Sequence, residues 1–300
     1  MDKQWDVLGF GAVTVDDLIY VERFPMPDTK VAVLDKQRQG GGLVGTALVA
    51  AARLGARTAY AGVLGDDDLS AYTLAEFKHE GVDCTPVLHR SDARPIHSMI
   101  IVDRTNGQRS IMASFVGVQW REPNDISVDL VTACRVLFVD HHAIAGQLCA
   151  AEIAHQYGIP VVADIERESE PRAEELVPLV DHLIVSIQYA RRKTGESNPD
   201  RATQQLAAGR TCCVVTAGEQ GCWYAAHGSE VKHFPAFPVH VVDTTGCGDV
   251  FHGAYAAMIA REESIERAVQ IASAAAAMKA TQPGGRAGIP TLAAIEQFLR

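Results

Sequence analysis

The feature that most restricts the fold is a repeated alternation of short apolar runs with helical segments. Residues 7–11, 58–64, 136–139, 160–164, 182–186 and 212–216 read as strands rich in Val, Leu and Ile. A glycine triplet, Gly40-Gly41-Gly42, opens an Ala-rich helix ending at Leu54-Gly55, and a second helix runs from Leu69 to Glu80 with its stop at Gly81. Strands without polar alternation are buried on both faces, so the pattern specifies a largely parallel sheet covered by helices on each side, a three-layer α/β/α fold. With 47% hydrophobic residues among 300, one such unit fills a large core. No repeat, low-complexity tract or linker divides the chain, so residues 1–300 are expected to form a single domain.

Two segments break the rhythm. Residues 16–38 and 95–115 alternate polar and apolar side chains and carry turn signals such as Thr105-Asn106-Gly107. They are expected to make a small separate sheet lying over the mouth of the main one as a lid. Exposed edges on such a sheet invite pairing with a second copy, which predicts a homodimer through the lid.

The formal net charge of −10 argues against a nucleic-acid binder, which needs a basic face to meet phosphates. It admits a nucleotide substrate, because backbone amides and one or two cations hold phosphates. The seven cysteines are scattered without a CxxC pair, the usage of reduced, mostly buried thiols in a cytosolic protein. The first residues lack a signal-peptide pattern, and no apolar stretch approaches the roughly 18 residues of a membrane span. A cytoplasmic protein without membrane partners is expected.

The chemistry concentrates in Val241-Val242-Asp243-Thr244-Thr245-Gly246-Cys247-Gly248-Asp249, after which Phe251, Ala254, Tyr255, Met258 and Ile259 recur at helical spacing. A strand is expected to deliver the chain to a glycine turn that becomes a helix start. Gly246 and Gly248 let backbone approach a ligand closely. The first helix amides lack intrahelical acceptors, and with the helix dipole they form a hole for an anion. Asp249, at that helix start, is placed to take a proton from an attacking hydroxyl. Taken by itself, the same pattern also suits a turn with a capping aspartate.

The run Asp243-Thr244-Thr245-Gly246-Cys247-Gly248-Asp249 resembles the C-terminal signature DTxGAGD of the ribokinase-like (PfkB) carbohydrate kinases. Cys247 replaces the usual alanine and puts an oxidisable thiol beside the phosphate. The resemblance covers nearly the whole chain. It implies Asp249 as catalytic base, with the amides of Gly246, Cys247 and Gly248 on the γ-phosphate of magnesium-ATP. It implies sugar binding by Asp16, at the end of Gly11-Ala12-Val13-Thr14-Val15-Asp16, and by the Gly41-Gly42 backbone. Thr46 falls where the family usually has a substrate-binding asparagine.

By the same resemblance, Ser186, Thr216, Gly218, Gly221 and Thr244 line the ATP site, and Ala274 to Ala277 pack near the adenine. A monovalent cation, K+, is expected at Asp243 and Thr245. The family's Asn-x-x-Glu reads Ser186-Ile187-Gln188-Tyr189 here, which leaves the magnesium ligands unassigned. That segment is similar to the ketohexokinase branch. The texts around Asp249 and at Gln282-Pro283-Gly284-Gly285-Arg286-Ala287-Gly288-Ile289-Pro290 are similar to the sulfofructose kinase branch. Both branches imply a ketose-type sugar.

Three further readings concern charged groups. Asp66-Asp67-Asp68 is expected to cap a helix. His141-His142 would make a polar wall of the substrate pocket. Arg104 and Arg109 in the lid would steer an anionic group or form a solvated face. Two competing functions stand beside the sugar kinase: a nucleoside kinase of the same superfamily, and a non-catalytic sugar or nucleotide sensor suggested by the missing Asn-x-x-Glu.

Overall fold

The structure is a computed structural model describing residues 3–105, 108–168 and 170–300. The strands in chain order are β1 (Trp5–Phe10), β2 (Thr14–Val21), β3 (Val33–Gly41), β4 (Thr58–Tyr60), β5 (Val63–Leu64), β6 (Val82–Asp83), β7 (Leu88–His89) and β8 (Ile96–Asp103). They continue with β9 (Arg109–Ser114), β10 (Cys134–Asp140), β11 (Val161–Asp164), β12 (His182–Ser186), β13 (Cys212–Thr216), β14 (Cys222–Ala226) and β15 (Lys232–Phe234). The helices are α1 (Leu43–Arg53), α2 (Asp68–His79), α3 (Val128–Thr132), α4 (Ile144–Gln156) and α5 (Ala173–Leu176). They continue with α6 (Ile187–Thr194), α7 (Pro199–Ala207), α8 (Cys247–Ala260), α9 (Ile265–Ala280) and α10 (Leu292–Phe298).

Nine strands form the main sheet in the order β15-β14-β13-β12-β11-β10-β1-β4-β6, parallel except at β14 and β15. Consecutive residues of one strand feed opposite layers, as strand geometry requires. Val136 and Phe138 of β10 pack with α1, α2, α8, α9 and α10, whereas Leu137 and Val139 pack with α3 to α7. The three-layer reading of the sequence holds. α1 and α8 approach closely because both present small residues. A Cβ on Gly253 would lie 2.0 Å from the Ala47 carbonyl oxygen. Among the described residues no helix is long and apolar enough to cross a membrane. All seven cysteines are free thiols.

The separate smaller sheet has the order β3-β2-β8-β9, antiparallel except for the β2–β8 pair. Its register puts Asp16, Ser98 and Arg109 on one face, since Asp16 is opposite Ser98 and Tyr20, four residues on, is opposite Val102, which pairs with Arg109. Val33, Leu34, Met99, Ile111 and Met112 of this sheet are exposed. The expected Asn106-Gly107 turn lies outside the described residues.

Two expected strands differ. Residues 58–64 divide into β4, which pairs with β1 and β6, and β5, which pairs with β7. The chain bends round Tyr60, whose hydroxyl would lie 1.9 Å from a Cβ on Gly62. Both pieces are buried, so the apolar run reads as continuous although the backbone is not. Residues 241–242 form no strand; the Val242 and Asp243 amides instead donate to the Ala280 carbonyl at the end of α9 (2.8 and 3.1 Å). Asp67 caps α2 by accepting from the Ser70 amide at 2.8 Å, as the acidic triplet suggested.

Candidate active site

In a parallel sheet, ligands bind beyond the C-terminal strand ends, at the point where the strand order reverses. Here β1 has β4 on one side and β10 on the other, so the crevice opens beyond Phe10 and Asp140. Asp140 closes its floor. Its buried carboxylate accepts from the amides of Ala12 (2.7 Å) and His142 (2.8 Å) and from Gln147 Nε2 (3.0 Å). A Cβ on Gly11 would lie 2.4 Å from that carboxylate, which explains a glycine at this position. Asp140 therefore ties the ends of β1 and β10 together and leaves its carboxylate no open side.

Asp249 lies in the first turn of α8, behind Gly246, which has φ 73° and would bring a Cβ within 2.8 Å of the Gly285 carbonyl. Gly248 faces open space, with nothing within 4 Å of the position a Cβ would take. Burial raises the pKa of Asp249 well above the usual carboxylate range. The Asp164 and Glu166 carboxyls push in the same direction, while His252 and Arg286 oppose them. Asp164, buried at the end of β11, is raised by burial and by Glu166. It sits 3.4 Å from His252 Nδ1, and His252 in turn stands 2.7 Å from Gly248 O and 3.1 Å from Ile184 O. The helix start is thus braced against β11 and β12 by one buried imidazole.

Beside α8 opens a cavity of about 850 Å3. Thr216, Gly218, Gly221, Thr244, Cys247 and Gly248 line it, together with Ala276 and Ala277 of α9 and the rings of Phe237 and Phe251. Its size suits a nucleotide, and its walls are mostly apolar with few polar groups, as ligand cavities usually are. Burial pushes the Cys247 thiol up, which disfavours the thiolate and the oxidation expected from its position. Ser186 does not line the cavity. It caps α6, its hydroxyl accepting from the Tyr189 amide at 3.2 Å.

On the other side of Asp249 the small sheet brings up Asp16. A Cβ on Gly41 would lie 2.4 Å from Asp16 Oδ2, and Gly42 has φ 87° against the Ala12 carbonyl, so both glycines are required by close approach. Burial raises the Asp16 carboxyl, with the charges of Arg286 and His97 among the opposing effects. Arg286 is the residue that sequence reasoning missed. Its buried guanidinium donates to the Gly41 carbonyl (2.8 Å) and to Thr46 Oγ1 (3.3 Å), and lies 5.7 Å from the Phe77 ring centre. The charge of this one group acts on both Asp16 and Asp249. Thr46 is buried, and its hydroxyl accepts from Arg286.

His141 and His142 are both buried: His142 stacks on Trp120 at 5.7 Å, and His141, its pKa driven down to about 3 by burial, accepts from Arg167 Nε at 3.2 Å. Arg104 lies over the Tyr20 ring at 5.2 Å and pairs with Asp35, on the solvated face. Arg109 instead crosses from the small sheet to the loop before α8, where it meets Thr245 Oγ1 and Asp243 Oδ1.

A glycine turn at a helix start, a buried carboxylate in its first turn and a flanking cavity define the centre of a group-transferring α/β enzyme. The family model for pfkB family carbohydrate kinases matches residues 6–292, and the chain belongs to that family: it is a sugar kinase, a phosphotransferase with an alcohol group as acceptor. The chain is 25% identical to the ribokinase of Staphylococcus aureus over 97% of this chain and 98% of that one. It is 26% identical to fructokinase-1 of Oryza sativa subsp. japonica over 95% and 94%. The solved structure of Arabidopsis thaliana ribokinase complexed with ribose and ATP superposes with a TM-score of 0.88, at 22% identity over 100% and 99% of the two chains. The ribokinase-like fold expected from the sequence is therefore that of the structure.

Proposed function

We propose that the enzyme transfers the γ-phosphate of ATP to a hydroxyl of a ketose-type sugar, with Asp249 as base. The observation that carries this reading is the helix start that holds Asp249, whose neighbours Cys247 and Gly248 line the 850 Å3 cavity. ATP occupies the cavity between the turn of Gly218 and Gly221 and the α9 alanines. Its terminal phosphate meets the turn of Gly246, Cys247 and Gly248, where the Cys247 amide exchanges its bond to the Thr244 carbonyl for one to the phosphate. These donors stabilise the charge that spreads over the phosphoryl oxygens. Asp16 accepts hydrogen bonds from two sugar hydroxyls, which a carboxylate can do at once. Asp249 takes the proton of the attacking hydroxyl. The small sheet excludes water from the transfer.

The acidic neighbours fit a divalent cation. Burial raises the Asp164 and Asp249 carboxyls, the Glu166 charge adds to both, and Asp164 adds to Asp249. Magnesium carried on the ATP phosphates would supply an opposing positive charge, with Asp164 and Glu166 as its protein partners in place of the absent Asn-x-x-Glu. The same reading places the enzyme in the cytoplasm, where ATP is available. It also makes the sheet face that carries exposed Met99 and Met112, which pair across β8 and β9, the contact with a second copy. Sedimentation at two concentrations checks the dimer, and Met99→Glu with Met112→Glu should yield monomers.

The test of function is ADP release from magnesium-ATP across fructose-like ketoses, ribose, acidic sugars and nucleosides. Asp249→Asn should lower turnover by about 10²–10⁴-fold while ATP binding persists. Turnover with ribose above every ketose would overturn the ketose assignment and leave the kinase standing. Wild-type turnover in Asp249→Asn would overturn the base. Ligand-dependent thermal stabilisation without product, from any sugar, would turn the reading to a sensor.

A further inference from the structure

The loop that carries the phosphate-binding turn is anchored by an internal ammonium group. Lys279 lies in the last turn of α9, in the Ala-rich run Ala274-Ala275-Ala276-Ala277-Met278-Lys279-Ala280, and is 0% exposed. A buried charge is costly unless something pairs with it. Its Nζ donates to the Asp243 carbonyl at 2.8 Å. Burial pushes the Lys279 pKa down and the Arg109 charge acts the same way, while the neighbouring Cys247, Asp243 and Asp249 oppose them. The end of a helix, where backbone carbonyls converge, also favours a cation.

Potassium was expected at Asp243 and Thr245, and the groups there do not fit it. A potassium ion needs several oxygen atoms with lone pairs directed at one point. The Asp243 carboxylate already accepts from the Thr245 amide (2.8 Å), Thr245 Oγ1 (2.6 Å), the Gly284 amide (2.9 Å) and Arg109. The Asp243 carbonyl accepts from Lys279. A further monocation would also stand beside Lys279 and Arg109, two charges of its own sign.

We propose that the Lys279 ammonium takes the place of the monovalent cation, so that this enzyme needs no potassium. An alkylammonium matches potassium in charge and is similar in size, and here it is tethered. By holding the Asp243 carbonyl it fixes the course of residues 243–246, and with it the direction of the first amides of α8. Lys279 is thus a positioning residue for the proposed phosphate site. The inference rests on the kinase reading only in its kinetic arm.

The experiment compares KCl, NaCl and tetramethylammonium chloride at matched ionic strength, reading Tm without substrate and initial rate with it. Wild type should give the same Tm and the same rate in all three salts. Lys279→Ala should lose about 10–100-fold in kcat with little change in KM, the usual scale for a residue acting through another at a site. It should recover in KCl or with methylammonium, and its Tm should be higher in KCl than in tetramethylammonium chloride. A wild-type Tm or rate that rises specifically with potassium overturns the proposal, and this arm stands even if the variant fails to fold. A folded Lys279→Ala protein that responds to no cation, or matches wild type in all salts, overturns it as well. If no sugar is turned over, the Tm comparison still decides, so failure of the kinase reading and failure of this one are distinguishable.

Discussion

Gly41→Ala places a methyl group where the structure leaves no room for one. Its Cβ would lie 2.4 Å from Asp16 Oδ2 and 2.4 Å from Thr14 Oγ1, whereas an ordinary contact begins near 3.4 Å. Both obstacles are side-chain oxygens, and the glycine is not in the left-handed region. The fold can therefore absorb the methyl by turning Asp16 away, a displacement of about 1 Å. A misplacement of that size costs about 10²-fold in rate, or roughly 2.7 kcal/mol of transition-state stabilisation. Steady-state ADP release should then show kcat/KM for the sugar reduced by about 10²-fold, the KM for ATP unchanged, and Tm close to wild type. An unchanged sugar kcat/KM would refute the placement of sugar at Asp16. An equal loss in the ATP parameters would show that Gly41 and the nucleotide compartment are not separate. Gly42→Ala provides the contrast: its Cβ would lie 2.5 Å from the Ala12 carbonyl at φ 87°, a backbone clash that should reduce stability rather than sugar affinity alone.

Other expectations follow from the same geometry. Asp249 is held above the usual carboxylate range by burial and then by Asp164. Because a base works deprotonated, kcat/KM should rise with pH through that raised pKa and level off above it. Arg286→Met strips the Gly41 carbonyl and Thr46 of a charged donor and should cost about 1.5–3 kcal/mol per hydrogen bond lost, measured by urea unfolding, with sugar affinity weakened more than ATP affinity. Gly253→Ala drives a methyl to within 2.0 Å of the Ala47 carbonyl; overpacking of about 1–3 kcal/mol should lower the calorimetric Tm while leaving KM values intact.

What was legible in the sequence was local. Apolar runs and their spacing specify strands buried on both faces and hence the layered sheet, because those patterns depend on neighbours within a few residues. The run from Asp243 to Asp249 is legible for the same reason: a turn, two glycines and a helix start are contiguous. Even there the reading of 241–242 as strand failed, since what satisfies those amides is the Ala280 carbonyl from the end of another helix. The run 58–64 failed for a related reason, as burial alone does not distinguish one strand from two short ones separated by a bend.

The partners of the site were decided by tertiary structure alone. Arg286 reaches Gly41 across 245 residues of sequence, and Lys279 reaches Asp243 across 36. In the sequence, Arg286 is one arginine in a loop and Lys279 one charge near a helix end, where an exposed role is the ordinary expectation. The positions of Thr46 and Ser186 in the chain were informative, whereas the bonds their hydroxyls accept, from Arg286 and from the Tyr189 amide, were not. A hydroxyl's role depends on the nearest donor or acceptor, and so does a buried charge's; folding chooses both from distant parts of the chain. The sequence by itself determined the sheet, its helical layers and the glycine turn with Asp249. Only the packing of α1, α8, α9 and the small sheet around that turn decided which charges steady it and which polar groups are left to meet a ligand.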